Sequence, residues 1–201
     1  MIIKVKNILI FLYLFDRIYS FELLHLKKIC AISIPAIQIM TSNLQDYEIT
    51  KKPLLNDKEY AKIISDDISQ RQALITADFT RDLYSEKCTF QDEIDRYPID
   101  KYITGTKALF NSKLSHVDLI GNVEFSPNNI GSTIYSFKFK ELLTFNIPFN
   151  PYVYLTGRVE LKRSPDGLIE TSREYWDEKP LTVISKVKFN PEAKIFDYSN
   201  L

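Results

Sequence analysis

The chain has 201 residues, of which 45% are hydrophobic and 13% aromatic, so it can hold one domain with a sizeable core and a leader. Its 26 Lys and Arg residues balance its 26 Asp and Glu residues, which argues against a nucleic-acid-binding protein, because such proteins usually carry a basic excess. Cys30 and Cys88 fit neither a disulfide framework nor a CxxC metal site, and the only histidines are His25 and His116. We therefore expect no bound metal and no cofactor.

Residues 1–20 have the layout of a signal peptide. Lys4 and Lys6 precede an unbroken apolar run of eight residues, and Ser20 ends a triplet that can serve as a cleavage site. The run is too short to cross a bilayer as a helix, so we expect no stable membrane span. The alternative is that this stretch forms a buried first helix or strand of the domain.

Residues 21–50 form a second part of the leader. They open with Phe21 and contain no acidic residue between Glu22 and Asp46. This order resembles the bipartite presequence of algae with complex, red-lineage plastids, in which a Phe after the signal-peptidase site opens a transit peptide. Cleavage near residue 50 would leave Cys88 as the one cysteine, and the chain has no N-x-S/T sequon. These features favour a plastid location for the protein. Secretion is the alternative.

Residues 56–111 predict two helices. Asn56 followed three residues later by Glu59 is a helix start, and apolar residues then recur three or four positions apart, with a break near residues 76–79. The second helix is expected at Asp100 to Asn111. Gly105 lies inside it, which indicates close packing or a helix start at that position.

Strands are predicted from residue 87 onward: residues 87–92 are short and β-like, and from His116 apolar and polar residues alternate. They are expected at residues 87–92, 116–125, 134–142, 153–161 and 168–176. Gly121 indicates a bulge, residues 165–167 a turn, and residues 181–189 fit either a strand or a helix. Helices followed by an antiparallel meander predict an α+β fold, with the helices on one face of a curved sheet. The predicted domain covers residues 56–190, and residues 191–201 form a tail.

Four segments carry a family resemblance through their order and spacing. They are Leu83-Tyr84 with Phe90-Gln91-Asp92, the helix motif ITGTKAL at 103–109, the stretch 147–160 with its TGR-x-E ending, and Gly167-Leu168-Ile169 with Trp176-Asp177. Together they resemble the SnoaL-like branch of the nuclear transport factor 2 superfamily. More narrowly, they resemble an uncharacterised group of plant, algal and cyanobacterial proteins in that branch, except that Glu93 stands where that pattern has a proline.

The resemblance implies a particular fold and several functions. The fold is a cone-shaped barrel, in which a strongly curved antiparallel sheet packs against N-terminal helices and wraps a central pocket. Members of the superfamily include isomerases, polyketide cyclases, dehydratases and proteins that only bind or dimerise. The fold therefore does not select an activity.

Asp92 is the candidate catalytic residue, because the resemblance places it where the first strand enters the pocket. A carboxylate against an aromatic wall can have a raised pKa and act as a general base. Alternatively, Asp92 lies at the surface or caps the next segment, as the acidic neighbours Glu93 and Asp95 suggest.

Ser172 falls near the position at which SnoaL-type cyclases carry a catalytic His or Asp. Serine cannot transfer a proton at neutral pH without a partner, so this departure counts against cyclase chemistry. Glu170 and Glu174 lie two positions before and after Ser172, so all three side chains are expected on the same side of the strand. The sequence therefore does not exclude an acid that faces the pocket.

The other ligand-binding candidates are Tyr84, Tyr135, Arg158 and Trp176, together with Ser172. The tyrosine hydroxyls could orient a ligand or the rings could belong to the core, and Arg158 could hold an anion or pair with Glu170 or Glu174 on the outer face. Trp176 could stack on a ligand or pack at the rim. Cys88 is expected to be a buried structural residue, since no base is placed near it.

Three functional hypotheses follow. The favoured one is a non-catalytic plastid protein that binds a small apolar ligand or a protein partner in the cone or on the sheet face. The second is an isomerase-like or cyclase-like enzyme with Asp92 as general base and a tyrosine as hydrogen-bond donor. The third is a scaffold or assembly factor that forms a homodimer through the outer face of the sheet.

Overall fold

The computed structural model describes residues 55–128 and 131–198. The chain divides into two units, residues 1–51 and 52–201, and every described residue belongs to the second. The predicted signal peptide at 1–20 and transit-peptide-like segment at 21–50 lie outside the described residues.

Helix α1 spans Asp57–Ser69 and starts as the sequence predicts. The Asn56 side chain accepts hydrogen bonds from the backbone amides of Lys58 and Glu59, and the Glu59 carboxylate accepts one from the backbone amide of Asn56. This reciprocal pair satisfies amides that would otherwise lack partners at the first turn.

The predicted break near residues 76–79 is present at Ala77, and another break lies a few residues earlier. Gln72 has a left-handed φ of 57°, a four-residue helix α2 follows at Ala73–Thr76, and Ala77 is left-handed again at φ 51°. A 3-10 turn at Arg81–Leu83 then leads into the sheet. Side chains in the left-handed region are uncommon, so two of them so close together mark a sharply bent connection.

Helix α3 spans Ile99–Leu109, in agreement with the predicted second helix. Gly105 lies in its interior, and a Cβ atom added there would meet no atom within 4 Å. The expectation of close packing or a helix start at Gly105 was therefore wrong, because Pro98 at the N-cap position places the start of the helix earlier.

Six strands form one sheet in the order β2-β1-β6-β5-β4-β3. Their bounds are β1 Tyr84–Gln91, β2 Arg96–Pro98, β3 His116–Pro127, β4 Thr133–Thr144, β5 Tyr152–Arg163 and β6 Ile169–Trp176. A last helix, α4 at Pro180–Ser185, occupies part of the run for which the sequence allowed a strand or a helix. The predicted α+β class is confirmed.

The sheet differs from the expected one in two ways. Strands β1 and β6 pair in parallel, whereas all other neighbouring strands are antiparallel. The reversals from β3 to β6 return the chain beside β1 in the direction that β1 already has. The sheet is also open, with β2 and β3 at its edges, and is not a closed barrel.

Two bulges set which side chains face the helices. The predicted bulge at Gly121 is confirmed, since φ is 76° and the β3–β4 register shifts between Ile120 and Glu124. A second shift lies where β5 meets β6, because Arg163 pairs with Ile169 but Lys162 pairs with Thr171. Glu170 is the extra residue of this second bulge.

The inner face of the sheet, which packs against the helices, carries the core. Tyr135, Phe137 and Phe139 of β4 are at most 4% exposed, as their alternation with polar residues predicts. The ring of Tyr60 from α1 stacks on Tyr135, with 5.6 Å between the ring centroids. This contact seats α1 on the inner face.

Candidate functional site

A small cavity lies between helices α1 and α2 and the inner face of the sheet. Its wall includes Phe90, Phe137 and two candidates from the sequence, Tyr84 and Ser172. The volume open to the centre of a water molecule is about 20 Å³, which corresponds to room for about one water. The structure thus brings Tyr84 and Ser172 together in a narrow interior space.

Ser172 faces inward on β6, where it is 8% exposed and pairs with Leu161 of β5 and Phe90 of β1. Tyr84 is 5% exposed, and its ring lies against Phe79 and Phe90. Burial raises the pKa of its hydroxyl, so Tyr84 stays protonated and can act only as a neutral hydrogen-bonding group.

Asp92 lies in the turn between β1 and β2. Its Oδ1 accepts hydrogen bonds from the backbone amides of Ile94 (2.7 Å) and Asp95 (2.8 Å). Burial raises the pKa of Asp92, and these two bonds oppose that rise. The carboxylate caps its own turn here, and a catalytic role for Asp92 stays a prediction.

Two further candidates have contacts elsewhere. The hydroxyl of Tyr135 donates to Asp57 Oδ1 at 2.7 Å, so it is engaged at the start of α1. Arg158 lies on the outer face, where its Nε is 3.3 Å from Glu160 Oε1 and its Cζ is 4.0 Å from the Tyr175 ring centroid. Arg158 thus pairs with an acid on the outer face, which is the alternative that the sequence offered to anion binding. The paired acid is Glu160, however, and not Glu170 or Glu174.

Trp176 and Glu174 lie on the inner face of β6, two positions apart. The indole Nε1–H of Trp176 donates a hydrogen bond to Glu174 Oε1 at 2.6 Å. Both side chains are half-buried. Burial raises the pKa of Glu174 to about 7, the indole hydrogen bond opposes that rise, and the charge of Asp92 adds to it.

Glu141 is a second inward acid and comes from β4, where it pairs with Leu155 of β5. Its residue surface is 5% exposed. In the part of the chain that the structure describes, no group donates a hydrogen bond to its carboxyl. Burial, and after it the charge of Glu174, raises the pKa of Glu141 well above its usual value.

Tyr102 of α3 lies near both acids and also lines the cavity. Its ring stacks on Phe90 at a centroid distance of 4.0 Å and an interplanar angle of 12°. Burial raises the pKa of the Tyr102 hydroxyl well above its usual value, and the charges of Glu174 and Glu141 raise it further. We call the group Tyr102, Glu141, Glu174 and Trp176 the carboxyl site.

The carboxyl site can hold and move a proton. Glu141 has no described donor and so favours its neutral form, whereas Glu174 has a donor and titrates near neutrality. A protonated acid beside an ionisable one is the arrangement from which general acid–base chemistry is built. The same groups can also bind a ligand without chemistry.

The sequence analysis did not identify Glu141 or Tyr102 as site residues. It allowed Glu174 to face the pocket only because Glu174 lies two positions from Ser172 on the same strand. The available signal for Glu141 was its position on β4, where it continues the inward series Tyr135, Phe137 and Phe139. A charged residue in such a series conflicts with a purely apolar core. The bulge at Glu170 places that acid on the exposed side, so the two acids of β6 have different environments.

Cys88 is buried, and burial raises its pKa to about 12, so the thiol is unreactive at neutral pH. Within residues 55–128 and 131–198, no three His, Cys, Asp or Glu side chains are arranged to hold a metal ion. None of the helices in these same ranges has the length and the apolar character that crossing a membrane requires.

Comparisons with known proteins give structural similarity only. No protein-family model and no curated protein matches the chain. Among solved structures, a nuclear transport factor 2-like protein from Salmonella enterica serovar Typhimurium is 14% identical over 62% of this chain and 96% of that one, with a TM-score of 0.48. The epoxide hydrolase/cyclase-like enzyme SalBIII is 13% identical over 67% and 99%, with a TM-score of 0.44.

A third solved structure, from Xanthomonas campestris, is described as that of a polyketide cyclase. It is 9% identical over 61% of this chain and 92% of that one, with a TM-score of 0.42. One of these solved structures is thus described by the superfamily that the sequence resembles. This similarity assigns no activity, since proteins of one fold carry unrelated functions. The narrower resemblance to plant, algal and cyanobacterial proteins stays a prediction.

Proposed function

We propose that the protein binds a small ligand at the carboxyl site. The observation that carries this proposal is Glu141, a 5%-exposed acid without a described hydrogen-bond donor, on the face that packs against the helices. A carboxyl that is largely removed from water and has no protein donor costs stability, and acids with shifted pKa values are concentrated at functional sites. A ligand that satisfies the carboxyl would offset this cost.

The ligand proposed here binds at the carboxyl site, whereas the sequence analysis favoured a small apolar ligand in the pocket of the cone. The cavity has room for about one water, so a larger apolar ligand would need its aromatic wall to move. Glu174, Trp176 and Tyr102 are each half-buried, and a ligand can therefore approach the carboxyl site from solvent. The binding of an apolar molecule or of a protein partner stays a weaker proposal.

The chain supplies its own reporter for a binding experiment. Trp176 is the only tryptophan, so its indole N–H gives a single resonance in a proton–nitrogen correlation spectrum. We expect members of a library of small polar molecules to shift this resonance and to raise the melting temperature. Glu174→Gln should weaken both effects.

Glu160→Gln is the matched control, because Glu160 is an acid of the same sheet on its outer face. We expect this variant to bind as the unchanged protein does. The proposal fails if no molecule of the library perturbs the Trp176 resonance, or if both variants lose binding equally.

A second candidate function is acid–base catalysis, in which Glu174 takes a proton and Glu141 donates one. The different environments of the two carboxyl groups favour it, since only Glu174 has a described donor. We expect the protein to exchange the α-protons of a simple enolisable ketone in D2O, as measured by proton NMR. Glu174→Gln should abolish the exchange and Glu160→Gln should preserve it; exchange that survives in Glu174→Gln refutes this candidate.

Asp92 as general base remains the alternative proposed from the sequence. The same exchange experiment tests it, because Asp92→Asn would then remove the activity while Glu174→Gln would not. A melting curve of Asp92→Asn is needed beside it, since this carboxylate also caps its turn through two backbone amides.

A homodimer formed through the outer face of the sheet is a further proposal. Ile120 and Ile134 lie on this face and are 44% and 42% exposed. Light scattering at micromolar concentration tests it, and a mass of one chain would refute it. The expectation that the protein binds no nucleic acid likewise stays a prediction.

We also propose a plastid location, on the basis of the leader sequence. Residues 1–50 fused to a fluorescent protein should enter the plastid of an alga of the red lineage. Phe21→Ala should prevent this import and leave the fusion in the secretory pathway. Secretion of the unchanged fusion would refute the plastid proposal.

A further inference from the structure

One row of the outer face of the sheet is covered. His116 of β3, Leu142 of β4 and Tyr154 of β5 pair side by side, and Tyr154 shares its side of β5 with the outer residue Arg158. Leu142 is 0% exposed, whereas Ile134 on the same side of β4 is 42% exposed. A leucine that is fully buried on an outer face needs another segment above it.

The terminal segment, residues 195–198, contacts both ends of this row. Tyr198 stacks on His116 of β3, with 4.3 Å between the ring centroids. Phe196 lies 4.8 Å from Tyr152 of β5, and Tyr152 in turn lies edge-on to Tyr154 at 5.9 Å. Because β4 lies between β3 and β5, the terminal segment crosses β4 above the covered row.

Hydrogen bonds anchor the chain just before the terminal segment. Lys188 and Tyr152 exchange two backbone hydrogen bonds of 2.8 and 2.9 Å. The Asn190 side chain then closes a turn, since its Oδ1 accepts from the backbone amide of Lys194 and its Nδ2 donates to the backbone oxygen of Lys194. The terminal segment can therefore leave the sheet without loss of this anchor.

The surface beneath the terminal segment is held in place by contacts of its own. Nε2 of His116 is 3.0 Å from Asp118 Oδ1, and Nζ of Lys140 is 3.8 Å from Asp118 Oδ2. The rings of Tyr152 and Tyr154 meet at an angle of 86°. None of these contacts involves the terminal segment. Such a preformed surface binds a ligand at a lower cost in entropy.

The terminal segment makes an incomplete fit to this surface. Ile195 is 74% exposed, and Phe196 and Tyr198 are half-buried. The hydroxyl of Tyr198 is buried, yet it has no hydrogen-bond partner within residues 55–128 and 131–198. A hydroxyl that loses water without gaining a partner opposes docking. The terminal segment can thus exchange with another segment of the same chemistry.

We propose that His116, Leu142, Tyr152 and Tyr154 form a docking groove for an extended peptide with two aromatic residues two positions apart. Aromatic side chains are the usual anchors of such contacts. In the absence of a partner, the terminal segment occupies the groove as a resident ligand, and a partner peptide must displace it. The groove lies on the face opposite the carboxyl site, so this inference goes beyond the proposed function.

The experiment opens the groove in the full chain with the double substitution Phe196→Ala and Tyr198→Ala. The probe is the capped peptide AKIFDY, the sequence of residues 193–198, and its control has alanine in place of both aromatic residues. In titration calorimetry we expect the double variant to bind AKIFDY but not the control peptide. The unchanged protein should bind AKIFDY at least ~10-fold more weakly, because its own segment competes at a high effective concentration.

The ring protons of His116 report on the groove directly. The stacked Tyr198 ring shifts their NMR resonances, which are assigned by their loss in His116→Gln. The double variant should lose this shift, and added AKIFDY should restore it. Ile195→Ala is the matched control, because this exposed side chain belongs to the same segment, and it should change neither the resonances nor the weak peptide binding.

Two results would overturn the docking groove. One is a double variant in which the His116 resonances are unchanged. The other is a double variant that binds AKIFDY no more tightly than the control peptide or than the unchanged protein does. A melting curve shows whether the double variant is folded; if it is not, Tyr198→Ala alone takes its place and the same two results decide.

Discussion

The indole N–H of Trp176 is 2.6 Å from Glu174 Oε1, within one strand and on one face of the sheet. Alternate residues of a strand point to the same side, so their spacing by two makes this contact possible. A hydrogen bond to the charged form of an acid favours ionisation. The indole therefore distinguishes Glu174 from Glu141, which has no described donor.

Removing the indole donor should raise the pKa of Glu174. Trp176→Phe keeps an aromatic ring but lacks the N–H, and we expect the titration midpoint of Glu174 to rise above about 7, by about one unit. Carbon-13 NMR of the glutamate carboxyls measures it, with the Glu174 signal assigned by its loss in Glu174→Gln. An unchanged midpoint would mean that the hydrogen bond does not set the ionisation of Glu174.

The raised pKa of Glu174 predicts a stability that falls as pH rises. Between its ordinary value of 4.5 and about 7, the folded state binds more protons than the unfolded state, so folding is favoured at the acidic end of this window. This contribution is lost through pH 7. Glu141 acts in the same direction.

Urea unfolding at pH 5 and at pH 8 measures this contribution. In Glu174→Gln we expect the loss of stability between the two pH values to be smaller than in the unchanged protein, by on the order of 2 kcal/mol. Glu160→Gln should leave the pH dependence as it is. Equal pH dependence in Glu174→Gln and the unchanged protein would contradict the raised pKa.

The α+β fold was predictable because its signals are local. The capping box at Asn56, the alternation in β4 and the bulge at Gly121 each follow from a few neighbouring residues. The parallel pairing of β1 with β6 was not predictable in this way, because it joins strands about 80 residues apart. Alternation within a strand does not show which strand lies beside it.

The candidate site was less predictable than the fold. Ser172 and Tyr84, two candidates from the sequence, both line the cavity, and their role in binding a ligand stays a prediction. The bulge at Glu170 could not be read from the sequence, and only the bulge distinguishes the exposed Glu170 from the inward Glu174. Tyr102 joins this region through the packing of its ring on Phe90, a tertiary contact that no local pattern encodes.

A buried acid on α1 allows a test of the bent connection between the helices and the sheet. Asp67 is 2% exposed; its Oδ2 accepts from the backbone amide of Thr80 at 2.7 Å, and its Oδ1 accepts from the Thr80 hydroxyl and from Arg71. Asp67→Asn leaves the Arg71 guanidinium without its charged partner. We expect a loss of about 3 kcal/mol in the free energy of unfolding.

Asp66→Asn is the control for this substitution, because the neighbouring Asp66 is exposed. It should change the free energy of unfolding by less than about 0.5 kcal/mol. Urea denaturation compares the two variants. Equal stability of both variants would show that the network around Asp67 does not hold the connection.

Two glycines with open space around them should respond in opposite directions to alanine. A Cβ atom at Gly105 or at Gly121 would meet nothing within 4 Å, but Gly121 has a φ of 76° whereas Gly105 lies within helix α3. Gly105→Ala should stabilise the protein by about 1 kcal/mol, because alanine favours the helix. Gly121→Ala should destabilise it by about 1 kcal/mol, since the bulge requires a left-handed backbone. Thermal and urea unfolding measure both changes, and a stabilising Gly121→Ala would contradict the conformation at the bulge.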